Sequence, residues 1–521
     1  MGLFIESGIV EILYLFLLGF WLIYLYFVKF YGYWEERNVP HVPPVFPLGS
    51  AVDGFLGKIT WELALDKIYC DFKDERYVGL FLLRKPWLMI RDPELIKLIL
   101  QKDFSSFTDR CFKKAHPDDY MIQNIFNLNG QAWKERRLKL MPAYTAAKMS
   151  MMFFLVKKCS DTLRNFIEEN TAPNNVIDVK EILSRYTTSV FGKCAFGVEI
   201  DALSNKDSQL YKMGRMGMNF DFKVLLKIYM SYTFPIFTIL HCFDLYDSKI
   251  KNFVINLVQS TIKQREQSDV NRCDFLDILT KLEKNQCLLR NGNSTYMEDL
   301  PNHIKNKGLT IEQITSETFL FFTAGLEITS NTMLFCLYEL ACNKKIQEKL
   351  HQEVLIVLSR HDNIISYQAL QDMTYLDQII NETMRRYPPF PFLTRVCTNK
   401  YKIPGSTFEM DQGVSIVIPT YSIHHDPNYF PDPFKFDPDR FDAQHSKGRH
   451  SFVYLPFGEG PRMCIGLHFG LMKVKTAVAT LVLDYEISPT PDTEVPVQLK
   501  ANVWMTQPAK TLYLAFTKRH T

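Results

Sequence analysis

One cysteine of the chain lies in a setting that favours metal binding. Two glycines and a proline precede Cys464, so the backbone here must form a constrained, closely packed loop. A helical pattern begins after Gly466, which places the thiol just before a helix N-terminus. The free N–H groups and the dipole of that terminus stabilise a thiolate, the form of cysteine that binds metals. Arg462, two residues earlier, can offer a bidentate contact to a carboxylate.

A single thiolate beside an arginine suits the iron of a haem, whose propionates need cationic partners. The segment PFGEGPRMCIG resembles the haem-ligand loop of the cytochrome P-450 superfamily. This resemblance implies that Cys464 is the axial ligand of haem b, and that Phe457, Arg462 and Gly466 belong to the cofactor-binding loop. The chain has 11 cysteines, and we expect structural roles for the others.

Further motifs of that family stand in the expected order. Glu382 and Arg385 look like the ExxR motif, whose spacing puts acid and base on one helical face. The segment FDPDRF resembles the "PERF" element, in which Arg440 would join that pair. The resemblance implies a structural role for this triad, behind the haem loop.

Four more residues are candidates for binding the haem propionates. Trp133 and Arg137 resemble a family WxxxR motif, and their spacing places them on one face of a helix. Arg110 and Arg395 match other family propionate partners less specifically. For these two, an ordinary surface arginine remains an alternative.

A long helical pattern runs from Thr310 to about Asn343, and it begins with a capping box formed by Thr310 and Gln313. At 1.5 Å per residue this helix would span about 50 Å, enough to cross the body above a haem. Glu312, Glu317 and Glu327 within it exclude a membrane span.

Midway along this helix, AGLEIT resembles the family's A-G-x-[DE]-T motif. The resemblance implies that Ala324 and Gly325 allow close approach of oxygen and that Glu327 helps to organise protons. The usual threonine position holds Ile328, and Thr329 follows one residue later, about 100° further around the helix. Three interpretations stay open: Glu327 and a water suffice, a π-bulge brings Thr329 into place, or the enzyme couples poorly or rearranges peroxides.

The N-terminus predicts a membrane anchor. Residues 12–28 carry no charge, and the extended stretch of about 20 residues matches the thickness of a bilayer. A cleaved signal peptide is the alternative, but no small-residue cleavage site follows. Glu6 and Glu11 precede the span, whereas Lys29 and Arg37 follow it. The positive-inside rule then places the body in the cytosol. The resemblance to microsomal P-450s implies that the membrane is that of the endoplasmic reticulum.

The domain organisation follows from these features. We predict an anchor over residues 1–30, a proline-rich, semi-rigid hinge over 31–50, and a single haem-thiolate catalytic domain over 51–521. The expected fold is mainly α with a smaller β region, with strands near 77–91 and 396–418. The segment 224–243 is apolar but interrupted by a proline, which allows either burial or a second membrane contact.

Composition limits the range of functions. With 47% hydrophobic and 22% charged residues, the 521-residue chain can form a large globular core. A net charge of +3 gives no electrostatic indication of nucleic-acid binding. No GxGxxG fingerprint follows a predicted strand, so a partner must supply electrons.

The resemblance implies that this partner is NADPH–cytochrome P-450 reductase, with cytochrome b5 as a further donor. Five basic residues near the motifs could attract such an acidic partner, or could simply be solvated helix faces. They are Lys134, Arg136, Lys139, Lys473 and Lys475.

We therefore expect a monooxygenase that inserts one atom of O2 into lipophilic small molecules: xenobiotics, plant toxins, insecticides or endogenous lipids. The anchor, the hinge and segments such as NETMRRYPPFP look most like microsomal, insect-type P-450s. One alternative is a peroxide-rearranging haem-thiolate enzyme. Another is a membrane-bound protein that binds haem or hydrophobic compounds without catalysis.

Overall fold

The computed structural model of the chain is mainly helical, with 57% of residues in helices and with small sheets. It describes residues 2–111, 116, 119–170, 175–205, 207–218, 222–240, 244–268, 274–283, 308–501 and 503–519. The α-helices are α1 (Gly2–Val28), α2 (Val52–Phe55), α3 (Trp61–Asp71), α4 (Pro93–Lys97), α5 (Gly130–Leu140), α6 (Ala146–Asn170), α7 (Val179–Phe191), α8 (Gln209–Met218), α9 (Phe222–Thr233), α10 (Ile236–Ile239), α11 (Ser248–Ser268), α12 (Phe275–Glu283), α13 (Ile311–Cys342), α14 (Lys344–Ser359), α15 (Tyr367–Asp372), α16 (Thr374–Arg386), α17 (Thr420–His424) and α18 (Leu467–Asp484).

The strands form three small sheets. They are β1 (Tyr77–Leu82), β2 (Lys85–Ile90), β3 (Val176–Asp178), β4 (Leu393–Val396), β5 (Tyr401–Lys402), β6 (Glu409–Met410), β7 (Ser415–Ile418), β8 (Tyr485–Pro489) and β9 (Tyr513–Lys518). The largest sheet has the order β1-β2-β7-β4, and the others are β3-β9-β8 and β5-β6. Both predicted strand regions therefore contain strands, and β4 begins slightly before the second of them.

Helix α13 is the central element of the helical part. Thr310 caps it and exchanges hydrogen bonds with Gln313, so the predicted capping box is confirmed. The helix packs against α7, α18, α16 and β8. It is apolar enough to cross a membrane, yet 72% of its most apolar window is buried within the protein. Burial on this scale makes it the core helix that the sequence predicts.

The other apolar helix is α1. Its segment Val10–Val28 is a candidate membrane span, of which only 6% is buried. The end of the span contacts the body: Tyr26 donates a hydrogen bond to the Thr233 carbonyl at 2.7 Å. Arg84, in the turn between β1 and β2, lies 3.7 Å from the centroid of the Tyr26 ring. An exposed apolar helix that is anchored at one end suggests attachment to a membrane.

The predicted hinge begins with turns and a 3₁₀-helix (Glu35–Arg37), and its later part is hydrogen-bonded to the first sheet. Gly79 in β1 donates to the Pro40 carbonyl at 2.8 Å, and Val42 donates to the Gly79 carbonyl at 2.9 Å. Trp34 is fully buried, and its ring lies so close to Gly79 that a Cβ there would approach it to 2.6 Å. These contacts give the hinge a fixed path along β1. The domain boundaries themselves stay a prediction.

The apolar segment near residue 230 forms α9 and α10. Thr233 at the end of α9 is buried, whereas Ile236, Ile239 and Leu240 are more than half exposed. These exposed side chains follow directly after the contact that Thr233 makes with the anchor helix. The described part of this segment is thus not fully buried, and its contact with the membrane stays a prediction.

Candidate active site

The loop before α18 holds Cys464 in a conformation that depends on glycine. Gly458 and Gly460 have φ angles of +69° and +74°, which favour glycine. A Cβ on Gly460 would also lie 1.8 Å from the Leu100 carbonyl oxygen, so any side chain there is excluded. Cys464 closes the loop by donating its N–H to the Phe457 carbonyl at 2.9 Å. Gly466 is the N-cap of α18, as the sequence predicts.

The Cys464 side chain is accessible, whereas Arg462 two residues before it is buried. Desolvation by the surrounding protein raises the pKa of the Cys464 thiol. The Gly466 N–H and the charges of Arg137, Arg110 and Lys473 act in the opposite direction. Because metal binding requires the thiolate, these donors and cations favour the ligating form.

Four guanidinium groups gather around this loop. Arg110 donates to the carbonyl of Arg462 at 3.3 Å, and Arg137 donates to that of Met463 at 2.9 Å. Arg462 itself stacks over the Trp133 ring, 4.4 Å from the centroid. Arg395 lies on β4 and is brought to Arg110 by a bridge between Asp109 and Val396. We call Arg110, Arg137, Arg395 and Arg462 the arginine cluster.

The charges of the arginine cluster repel one another. Burial and the neighbouring guanidinium groups lower the pKa of Arg395 to about 9 and that of Arg462 to about 8. In the described part of the chain, none of the four forms an ion pair with a carboxylate, and the Nε atoms of Arg395 and Arg462 lack hydrogen-bond partners. Unpaired buried charges are costly. The cluster therefore requires an anionic partner, and the two propionates of a haem, bound beside an accessible thiolate, fit it.

Behind the loop, Glu382 and Arg385 form a fully buried ion pair. Arg385 makes two hydrogen bonds to the carboxylate, at 2.7 and 2.9 Å. Arg440 lies 3.4 Å from the same carboxylate, and the Asp437 N–H donates to it at 2.9 Å. Arg385 also donates to the carbonyls of His424 and Pro433. The triad expected from the motifs is present in the structure.

The midpoint of α13 presents three different faces. Ala324 and Ile328 share one face, and both are only partly buried. Glu327 lies on a second face and pairs with Lys180 of α7 at 2.5 Å, which also contacts Asn331 and Ser330. Glu327, the residue predicted to organise protons, is therefore paired with a lysine that the sequence did not identify as its partner.

Gly325 and Thr329 occupy the third face, towards α7 and α18. A Cβ on Gly325 would lie 1.9 Å from the Phe191 ring, so this glycine permits close packing of α13 on α7. The Thr329 hydroxyl bonds the Gly325 carbonyl and accepts a hydrogen bond from Lys473 at 3.3 Å. The helix is α-helical throughout, so the interpretation that a π-bulge redirects Thr329 is wrong.

Comparison with known proteins agrees with this geometry. The family model described as Cytochrome P450 matches residues 57–516. This chain belongs to the cytochrome P450 family. It is 33% identical to cytochrome P450 6k1 of Blattella germanica, covering 95% of this chain and 94% of that protein. It is 35% identical to cytochrome P450 6a2 of Drosophila melanogaster, covering 92% and 93%.

The P450 is accordingly a haem-thiolate monooxygenase related to insect enzymes. Membership in the family implies a haem-thiolate cofactor. Cys464 and the arginine cluster are the residues of this chain that would hold the haem. When bound, the haem provides the redox chemistry of oxygen activation. The specific roles of Trp133, Phe457, Ala324, Gly325, Glu327 and Thr329 stay predictions.

The predicted basic patch for a redox partner needs correction. Lys473 and Lys475 are buried, with 1% and 4% of their surface exposed, and Lys475 pairs with Asp377 at 3.0 Å. Arg136 is also buried, and it pairs with Glu317 at 2.7 Å. These three side chains form ion pairs or core contacts within the protein, because they lie on the helix faces that pack against the rest of the fold. Of the five residues, Lys134 is exposed and Lys139 is partly exposed.

Proposed function

We propose that this P450 oxidises lipophilic small molecules with electrons that NADPH supplies through a membrane-bound reductase. The observation that carries the proposal is the accessible Cys464 thiol beside four guanidinium groups without carboxylate partners in the described chain. The substrate class includes xenobiotics, plant toxins, insecticides and endogenous lipids. Cytochrome b5 is a second candidate electron donor.

We further propose that the enzyme is a single-pass protein of the endoplasmic reticulum membrane, with its catalytic domain in the cytosol. The apolar span with low burial supports attachment to a membrane. Acidic residues before the span and Lys29 and Arg37 after it support the orientation. The division into anchor, hinge and catalytic domain at residues 30 and 50 belongs to the same proposal.

Reconstitution tests this function. The full chain would be combined with cytochrome P450 reductase and lipid vesicles, with an alkoxycoumarin as a lipophilic probe whose dealkylated product fluoresces. We expect product only when NADPH, reductase and O2 are all present. Conversion of an organic hydroperoxide without these three, and no oxygenation with them, would instead support the peroxide-rearranging enzyme. A thiolate-type carbon-monoxide spectrum without any turnover would support a binding protein.

A separate prediction concerns the face of α13 that carries Ile328. We expect Ile328→Thr to raise the product formed per NADPH and to lower peroxide release several-fold, because a hydroxyl would then stand on the face of Ala324. A positioned proton donor contributes about 100-fold or more to many reactions, so even partial placement should be measurable. Ile328→Val is the matched control, since it has the shape of threonine without the hydroxyl. Equal coupling in the Thr and Val variants would contradict the prediction.

A further inference from the structure

Glu317 is a buried glutamate of α13 that the P450 chemistry described above does not use. Only 2% of its surface is exposed. Its Oε1 atom accepts a hydrogen bond from Arg136 of α5 at 2.7 Å and another from the backbone N–H of Ile125 at 3.0 Å. Arg136 also donates to the Gln123 carbonyl at 3.4 Å. The carboxylate therefore joins α13, α5 and the loop before α5 (residues 119–129), which we call the 119–129 loop.

The end of the 119–129 loop nearest α5 contacts the arginine cluster. Arg462 donates to the Leu128 carbonyl at 2.6 Å, and Arg110 donates to the Phe126 carbonyl at 3.2 Å. The Phe126 ring stacks on the ring of Phe390, in the segment before β4, with 6.4 Å between the centroids. The loop is therefore held between α13 and the arginines that would bind the haem propionates.

The position of Glu317 on α13 relates this attachment to the face of Ala324. The two residues are seven positions apart, so they lie within about 20° of each other around the helix and about 10 Å apart along it. Ile328 is on the same face. The hydroxyl of Ser316 donates to the Met121 carbonyl at 3.3 Å, which gives the loop a second contact with α13. A loop attached at this point borders the approach to Ala324.

The bonds that Glu317 accepts involve a charged group. Burial raises the pKa of the Glu317 carboxyl to about 7, whereas the charge of Arg136 and the hydrogen bonds from Arg136 and Ile125 lower it. Above that pH the carboxylate is charged, and hydrogen bonds to a charged acceptor are about twice as strong as those between neutral groups. One oxygen atom thus attaches the loop to α13 more strongly than an ordinary backbone contact does.

We propose that Glu317 and its counter-ion Arg136 form a latch that holds the 119–129 loop on the Ala324 face of α13 and limits how fast bulky lipophilic molecules reach the haem. Glu317 is a positioning residue, because it acts through the loop. Loss of its charge weakens both hydrogen bonds at once, since the same oxygen accepts them. The role in access rests on the proposed oxidation of lipophilic molecules, but the latch can be measured without turnover.

The test uses the haem-bound enzyme at pH 8, where Glu317 is charged. Glu317→Gln keeps an acceptor oxygen for Ile125 but removes the charge. Hydrogen–deuterium exchange of peptides that cover the 119–129 loop measures its opening. We expect exchange to be about tenfold faster or more, because hydrogen bonds to charged groups contribute that much to local stability.

Access to the haem is measured by the association rate of two nitrogen ligands of the iron, followed by absorbance. Clotrimazole is a bulky azole, whereas imidazole is small. We expect Glu317→Gln to bind clotrimazole several-fold faster and imidazole at the wild-type rate, because only the bulky ligand needs the loop to open. Faster exchange of the loop with wild-type clotrimazole binding would overturn the proposed control of access.

Glu339→Gln is the matched control, because Glu339 is also a buried glutamate of α13 but pairs with Arg386 of α16 at 3.0 Å. Loop exchange and azole binding should stay at their wild-type values in this variant. Equal acceleration in Glu339→Gln would overturn the proposal, since the cause would then be general loosening of α13. Wild-type exchange of the loop in Glu317→Gln would overturn it as well.

A double variant covers the case in which Glu317→Gln does not retain haem. Glu317→Met combined with Arg136→Met replaces the ion pair by apolar side chains, a change that buried pairs often tolerate. Ile125 then loses its acceptor, although no unpaired charge is left in the core. We expect faster loop exchange and faster clotrimazole binding in this variant too, and wild-type values for both would overturn the latch.

Discussion

Replacing Cys464 by serine should remove the thiolate-type band from the carbon-monoxide difference spectrum and abolish reductase-driven oxidation. The hydroxyl of serine is a harder and much less acidic ligand than a thiol, so it supplies less electron density for oxygen activation. Removing only the residues that hydrogen-bond to a metal-ligating side chain lowers activity or metal affinity by about 10–100-fold. Loss of the ligand itself should reduce turnover by at least about 100-fold.

The control for this experiment is Cys70→Ser. Cys70 is also exposed, but it lies on α3, outside the haem loop. Its replacement should leave both the spectrum and the turnover unchanged. A thiolate-type spectrum in Cys464→Ser would show that another cysteine ligates the iron, which would invalidate the site as described.

The features that sequence predicted well are those encoded over short distances. The haem loop needs glycine at Gly460 because its φ angle is positive and its Cα faces the Leu100 carbonyl. The capping box of α13 involves only Thr310 and Gln313, which lie three residues apart. Such patterns have local physical causes, so they can be recognised in the sequence without knowledge of the fold.

The errors concern residues whose environment is set by distant parts of the chain. Arg136 and Lys475 were assigned to a basic surface because lysine and arginine are usually exposed. Their partners, the buried Glu317 and the partly exposed Asp377, are 181 and 98 residues away in the sequence. Lys180 was missed as the partner of Glu327 for the same reason, since the pair spans 147 residues. Charge type alone does not reveal which helix faces meet.

The ion pair of Glu382 and Arg385 lies in the core behind the haem loop. Both side chains are inaccessible to solvent, and the guanidinium also satisfies the carbonyls of His424 and Pro433. One network therefore joins α16, α17 and the segment that contains Arg440. Breaking it by removing one partner leaves an uncompensated buried charge, which is strongly destabilising.

We expect Glu382→Gln to lower the free energy of unfolding by about 3–5 kcal/mol, because Arg385 and Arg440 then face a neutral amide. Denaturant titration of the holoenzyme, followed by the haem absorbance and by circular dichroism, measures this change. Asp439→Asn is the matched control: it is also a carboxylate-to-amide change, next to Arg440 in sequence. Asp439 pairs with Lys349 at 2.8 Å, but both side chains are more than half exposed, so its loss should cost at most about 1 kcal/mol. Similar costs for the two variants would mean that burial does not make the Glu382 pair special. A large difference would show that burial makes this ion pair a major contributor to the stability of the fold.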